Sequence, residues 1–239
     1  MPQSPRARGV LFDLDGTLLD TAPDLTGALN ALRAEHGLPA LADGHLVPTA
    51  SHGSIAMIRR GFDLQPADPR FAPLQQRFLQ LYQARISHAS RAFAGIDELL
   101  EFLEARRIPW GVVTNKPSRL TEPLLAALGY ARRAGCIVSG DTLAVGKPDP
   151  LPILHACEQL GLAPADCLMI GDAERDIQAG RRAGTLTLVA LFGYISGEDR
   201  PQRWGADGLI GHPRETLRWL DPALTGRQAP DRSLSATAG

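Results

Sequence analysis

Acidic residues follow the ends of several short apolar runs in this 239-residue chain. Asp13 and Asp15 follow Val10-Leu11-Phe12, and Gly16 and Thr17 come directly after. Thr114 and Asn115 follow the run from Trp110 to Val113. Asp141, and then Lys147, follow the run from Cys136 to Val138. Gly171 and Asp172 follow the run from Cys167 to Ile170, and Asp176 comes four residues after Asp172. Any one of these acids is accounted for as a helix cap or turn former. Gathered at one edge they would repel one another unless a hard cation joined them. Mg2+ takes carboxylate and water oxygens and leaves room for a phosphate oxygen. A lysine adds a point charge for a phosphoryl group. A threonine hydroxyl and the N–H groups of a turn donate to phosphate oxygens. A metal-bound aspartate is a competent nucleophile toward phosphorus, and a second one two residues later serves as general acid and base. The chemistry implied is phosphoryl transfer through an aspartyl-phosphate on a small-molecule phosphate ester, without a nucleotide site.

These residues converge only if the apolar runs are neighbouring strands. The runs are continuous, short and separated by helical patterns over Ile96–Arg106, Leu120–Leu128, Leu151–Leu160 and Ile177–Ala183. Buried strands alternating with helices read as βαβ units. The fold class expected is α/β with a doubly wound, Rossmann-like parallel sheet, which binds ligands beyond the carboxyl ends of its strands. From Leu19 to Phe93 no buried strand is expected. Leu25, Ala28, Leu29 and Leu32 fall at helical spacing, as do Ile55, Ile58 and Phe62, and then Leu74, Phe78, Leu81 and Tyr82. The division expected is a catalytic core of residues 1–18 and 94–222, a helical insertion over 19–93 and a disordered tail over 223–239.

Composition narrows the alternatives. Net charge is −1, so there is no electrostatic footprint for nucleic acid. No apolar run reaches the length of a membrane span, and none near Met1 fits a signal peptide. The expected setting is the cytoplasm, as a monomer or homodimer. Cys136, Cys157 and Cys167 have neither CxxC spacing nor a partner cluster, so they read as buried thiols. Only two lysines, Lys116 and Lys147, stand against 23 arginines. Each precedes a proline near the end of an apolar run, which points to a local need for a compact charge. Lys116 is expected to flank a phosphate loop, His155 and Trp110 to pack in the core, and Glu174 to start a helix or stand near a metal.

The string Asp13-Leu-Asp-Gly-Thr17 resembles the first motif of the haloacid dehalogenase superfamily. Thr114, Lys147 and Gly171-Asp172…Asp176 resemble the second, third and fourth, in order, across residues 9–220. The resemblance implies that Asp13 is a nucleophile and Mg2+ ligand. It implies that Asp15 is the general acid/base with its carbonyl on the metal, and that Asp172 is a further metal ligand. Thr114, Asn115 and Lys147 would hold the phosphoryl group, while Asp176 and Thr17 would support the metal from behind. Residues 19–93 would be the helical cap that this superfamily inserts. Dehalogenating members lack the acid at Asp15, phosphonate-cleaving members need a lysine absent from residues 19–93, and ion pumps carry lysine where Leu14 stands. Leu18–Asp24 and Gly111–Pro117 look like the phosphoglycolate phosphatase group. Gly129-Tyr130, Gly193-Tyr194, Trp204–Asp207 and His212-Pro213 look most similar to a sister group. Members of that group remove the 6-phosphate of N-acetylmuramic acid in peptidoglycan recycling. A sugar-phosphate mutase and a non-enzymatic binding module are the alternatives.

Selectivity is expected from the insertion. Its polar loop Thr49–Ser54 offers Ser51, His52 and Ser54 for sugar hydroxyls or an acetamide, and Arg59 or Arg60 for a carboxylate. His52 and Arg60 are the substrate-reading residues expected from this segment, against the plain alternative of a helix cap and solvated arginines.

Overall fold

The computed structural model describes residues 7–226. Six strands form one parallel sheet: β1 (Gly9–Phe12), β4 (Trp110–Val113), β5 (Cys136–Val138), β6 (Cys167–Gly171), β7 (Leu186–Ala190) and β8 (Gly208–Ile210). Their order is β5-β4-β1-β6-β7-β8. The sequence-based fold class holds. Successive side chains on a strand face opposite sides, and the packing follows. Val10, Phe12, Val112, Leu168 and Ile170 face α5 (Ile96–Ala105) and α6 (Ser118–Ala127), meeting Leu99, Leu103, Leu124 and Leu125. Leu11, Val113 and Met169 face α7 (Leu151–Gln159) and α8 (Glu174–Ala183), meeting Ile153, Ala156 and Ala179. Burial on both faces is why these runs carry no polar alternation. Chain order reverses at β1, which lies between β4 and β6. A crevice opens there beyond the strand ends, where such sheets bind ligands.

Four helices lie between Leu19 and Phe93: α1 (Ala22–Glu35), α2 (Asp43–Ala50), α3 (Gly53–Phe62) and α4 (Phe71–Gln83). They share a core of Leu25, Leu29, Leu32, Leu46, Met57, Ile58, Phe78 and Tyr82. No strand buried along its length lies here, but one short, partly exposed ladder does, which the sequence did not single out. β2 (Leu19–Asp20) pairs antiparallel with β3 (Arg91–Ala92), joining the outgoing and returning chain. A two-residue ladder is too short to leave a periodic signal in sequence. On α3 the buried face carries Met57, Ile58 and Gly61, so Ile55, expected inside, is 49 % exposed. A short α-helix, α9 (Pro222–Thr225), begins where the tail was expected; residues 227–239 lie outside the described ones.

Other local expectations sort by packing. Trp110 is buried edge-on against Phe12, and its indole N–H donates to Glu104. The three cysteines are buried and free. His155 is half-exposed, 2.8 Å from Gln159, because α7 turns Ile153, Ala156 and Cys157 inward instead. Asp141 lies away from the strand-end acids. Its carboxylate accepts from the N–H (2.7 Å) and hydroxyl (3.0 Å) of Ser118 and so caps α6. No helix among the described residues is long and apolar enough to cross a membrane.

The two-sided core makes a stability prediction. Leu168 is fully buried, so Leu168→Ala is expected to cost about 2–5 kcal/mol through lost transfer and a residual cavity. Ile55→Ala is expected to stay within about 0.5 kcal/mol. Urea unfolding measures both; equal costs would contradict the described packing.

Candidate active site

The turn after β1 is folded so that Asp13 points into the crevice. Its Oδ1 accepts from the N–H of Leu14 (2.7 Å), and Lys147 Nζ stands 2.9 Å away. The same ammonium contacts Asp176 Oδ1 at 2.7 Å and donates to the Val113 carbonyl at 2.6 Å. Lys147 is held at both ends. Asn115 donates from Nδ2 to its carbonyl (2.8 Å) and accepts from its N–H (2.9 Å). Asn115 therefore positions the lysine loop through backbone contacts. Thr114 is buried at the end of β4, and its Oγ1 accepts from the N–H of Lys116.

Asp172 and Asp176 follow β6. Oxygens of Asp13, Asp172 and Asp176 lie within 4.8 Å of one another, all buried. Burial, and then the charges of Asp13 and Asp176, push the Asp172 carboxyl up to about 7. Burial likewise raises Asp176, opposed by Lys147 and Arg175. Asp176 Oδ1 is buried with no directed hydrogen bond; its contact with Lys147 is an ion pair off the hydrogen-bond direction. Like charges held this close with an underserved oxygen fit a small hard cation, and the donor set is all oxygen, as Mg2+ requires. The turn leaves little space around that set. Gly16 has φ +87°, and a Cβ there would collide with the Asp172 carboxylate. Thr17 Oγ1 approaches Asp172 Oδ1 at 3.3 Å, and the N–H of Tyr194 donates to Oδ2 at 3.0 Å.

Asp15 stands on the opposite side of the crevice. Its Oδ1 accepts from Thr21 Oγ1 at 2.5 Å and from Lys116 Nζ at 2.8 Å. Lys116 also donates to the Tyr82 hydroxyl of α4 at 2.8 Å and lies over that ring. Lys116 is thus part of the site, a larger role than the expected flank of a phosphate loop. The two lysines of the chain serve two different carboxylates.

The sheet and the insertion enclose a cavity of about 440 Å³ between them. Asp13, Asp15, Thr114, Asn115, Lys116 and Arg175 line its sheet side. Ser51, His52, Ser54, Gln75 and Tyr82 line its helical side. Ser51 crosses the gap, its hydroxyl donating to Asp172 Oδ2 at 2.5 Å. Gln75, which the sequence did not single out, donates to Ser54 at 2.8 Å. Partial burial, and then the charge of Arg175, hold the His52 imidazole below its ordinary range, opposed by Asp199. Arg60 does not reach the cavity. With Met57, Ile58 and Gly61 turned inward, Arg59 and Arg60 fall on the exposed side of α3. Glu174 is exposed and accepts from Gln178 one turn on.

Arg175 was not foreseen. Its guanidinium lies 3.8 Å from Asp13 Oδ2 and donates to the Ser51 carbonyl at 2.7 Å. The available signal was a cation in the first turn of a helix, where the macrodipole disfavours it. Of the segments noted for resemblance to the phosphoglycolate group, Thr21 bonds Asp15 and Thr114–Pro117 line the cavity. Of those that look like the sister group, Trp204 and Tyr194 stand beside Asp172. The Tyr194 hydroxyl donates to Asp20 and accepts from the N–H groups of Thr21 and Ala22. Tyr130 bonds Asp97, Asp207 bonds Thr187, and His212 accepts from the N–H of Arg214, all outside the cavity lining.

Residues 7–184 match the family model described as haloacid dehalogenase-like hydrolase. A Pseudomonas aeruginosa protein named N-acetylmuramic acid 6-phosphate phosphatase is 48 % identical over 219 residues, covering 92 % of this chain and 97 % of that protein. A Xanthomonas campestris protein named phosphoglycolate phosphatase is 43 % identical over 218 residues, covering 90 % and 98 %. Among solved structures, one described as a predicted phosphoglycolate phosphatase from Haemophilus somnus superposes with a TM-score of 0.78. It is 26 % identical and covers 89 % of this chain and 97 % of that one. With the motif residues assembled in one crevice and a family match over most of its length, this chain belongs to the haloacid dehalogenase-like hydrolases.

Proposed function

We propose that this chain is a Mg2+-dependent phosphomonoesterase acting through an aspartyl-phosphate, with N-acetylmuramic acid 6-phosphate as its substrate and α1–α4 as its cap. The observation that carries the reaction is Asp13, buried between Lys147 and the Asp172–Asp176 pair and open to the same cavity as Asp15. Asp13 attacks phosphorus while Lys147 and the Thr114 hydroxyl balance charge on the phosphoryl oxygens. Asp15 protonates the leaving sugar oxygen and then takes a proton from the water that hydrolyses the aspartyl-phosphate. Asp13, Asp172 and the Asp15 carbonyl would hold Mg2+, with Asp176 and Thr17 behind them. When bound, the ion supplies positive charge for the phosphoryl oxygens. Closure by the cap excludes water until the alcohol has left. Hydrolysis of a phosphate monoester needs up to ~10²¹-fold acceleration, more than any single one of these groups supplies.

The substrate assignment is supported by relatives of that name at 48 % and 45 % identity. It is also supported by a cavity within the ~300–1,000 Å³ range of small-molecule sites, whose helical side offers hydroxyl, amide and imidazole groups. Phosphoglycolate is the second reading, favoured by relatives of that name at 43–45 % identity.

Three outcomes are expected. Asp13→Asn leaves the fold intact by circular dichroism and abolishes phosphate release; retention of most Mg2+-dependent turnover would remove Asp13 as nucleophile. With the wild type, kcat/KM for N-acetylmuramic acid 6-phosphate exceeds that for 2-phosphoglycolate and N-acetylglucosamine 6-phosphate by 100-fold or more. That ratio corresponds to about 2.7 kcal/mol of transition-state discrimination; a reversed preference selects phosphoglycolate. The third concerns the metal. The folded state keeps the Asp172 proton up to about pH 7, whereas the unfolded chain loses it near 3.8. The metal-free protein therefore loses stability as pH rises through that window. Mg2+ should relieve this cost, raising Tm more at pH 8 than at pH 5.5. An equal rise at both pH values would place the ion elsewhere.

A further inference from the structure

Of the three cations around Asp13 and Asp15, two are matched at contact distance. Lys116 pairs with Asp15 at 2.8 Å, and Lys147 pairs with Asp13 and Asp176 at 2.9 and 2.7 Å. Arg175 is different. Its nearest carboxylate oxygen is 3.8 Å away, and among the described residues only the Ser51 carbonyl takes one of its N–H groups. A guanidinium has five donors in a planar fork that matches the oxygens of a phosphate. Arg175 also forms part of the wall shared by the 440 Å³ cavity and a smaller one of about 220 Å³ beside Asp172 and Trp204. Its side chain is 21 % exposed, and its Nη2 is the nitrogen 3.8 Å from Asp13 Oδ2.

The position is electrostatically odd. Arg175 occupies the first turn of α8, where the positive end of the helix dipole disfavours a cation. The surrounding carboxylates offset that cost, and their charges hold the guanidinium fully protonated against burial. A second anion arriving at Asp13 would find Arg175 within reach, with only its loose 3.8 Å pairing to Asp13 Oδ2 to displace. The residue it grips, Ser51, is also the one whose hydroxyl reaches Asp172 from the turn between α2 and α3. One residue of the insertion thus touches both a carboxylate of the acidic cluster and the free cation.

We propose that Arg175 binds a terminal oxygen of the phosphoryl group and, through the Ser51 carbonyl, couples phosphate binding to closure of α1–α4 over the sheet. Arg175 is then a substrate-binding residue of the phosphatase reaction, and the inference rests on the function proposed above. A phosphomonoester dianion bound at Asp13 takes the donors of Arg175 that face the cavity, while its Nη2 keeps the helical insertion in place. Emptying the site removes the anion that ties Arg175 to Asp13 and leaves the insertion held by the Ser51 and Tyr82 contacts, so release of inorganic phosphate favours opening.

The test uses inorganic phosphate with the full chain in Mg2+, read by calorimetry and by hydrogen exchange across residues 49–55. Wild type and Asp13→Asn are expected to bind phosphate and gain protection in that segment. Arg175→Gln is expected to weaken phosphate at least ~10-fold and to lose the gain in protection. Arg175→Lys restores the charge but not the fork. It should recover part of the affinity and little of the coupling, which also shows that lost binding is not lost folding. Phosphate affinity and protection equal to wild type in Arg175→Gln would overturn the proposal while leaving the phosphatase intact. Weakened binding with unchanged protection would overturn the coupling. A wild type that hydrolyses no phosphate ester would overturn both this inference and the function it rests on.

Discussion

The contact on which the site depends is the buried ammonium of Lys147 between Asp13 and Asp176. None of the three side chains is more than 3 % exposed. Removing the lysine would leave two buried carboxylates uncompensated, at about 3–5 kcal/mol, whereas neutralising Asp13 leaves the Lys147–Asp176 pair balanced. The geometry around it is correspondingly overdetermined. Asn115 fixes the lysine backbone from both sides, the Val113 carbonyl takes a third direction at Nζ, and the Leu14 N–H orients Asp13. The triad and its supports come from the carboxyl ends of β1, β4, β5 and β6, so parallel register is what turns four separate loops into one site. The sheet pays for this arrangement with apolar burial on both faces, which holds the strand ends rigid relative to one another.

Around that fixed centre the contacts to the insertion are of another kind. Beside the apolar packing of Leu120 and Tyr194, the polar ones are concentrated in two places. Tyr82 reaches Lys116 and through it Asp15, and Ser51 reaches Asp172 and Arg175. The joint itself is a two-residue ladder steadied by Tyr194, whose hydroxyl collects Asp20 and two backbone N–H groups. The insertion has an apolar core that also takes in Leu120 of α6 and Tyr194 from the sheet side. Acid–base chemistry on the Asp15 side and charge balance on the Asp172 side would both sense its position. This division suits a reaction that must admit a polar ester, exclude water for one step and admit it for the next.

Substrate selectivity was the least legible property. Tyr130, Asp207 and His212, from three of the four segments that resemble the sister group, bond at the sheet edge or at helix ends, and Tyr194 from the fourth reaches Asp172. They record relatedness through folding requirements, whereas the groups able to touch an alcohol, such as His52, Ser54 and Gln75, are brought together by α3 and α4. Arg60 illustrates the difficulty. Its neighbour in sequence is as basic and as polar, and only the rotation of α3 decides that neither faces the cavity.

What the sequence determined by itself is what is local or repeated. Apolar runs of strand length between helical patterns specify a buried parallel sheet. Glycine and acids immediately after the runs specify where its carboxyl edge carries charge. Asp13, Asp15, Lys147, Asp172 and Asp176 were readable because each is tied to the end of a strand by one to nine residues of chain. Tertiary structure alone decided which charges meet. Asp141 has the same strand-end position yet caps α6, while Lys116 and Arg175 enter the site because α4 and the turn before α3 close over them. Pairings between residues more than 100 positions apart, such as Ser51 with Arg175, depend on distances set by packing, and those leave no period or spacing in the chain.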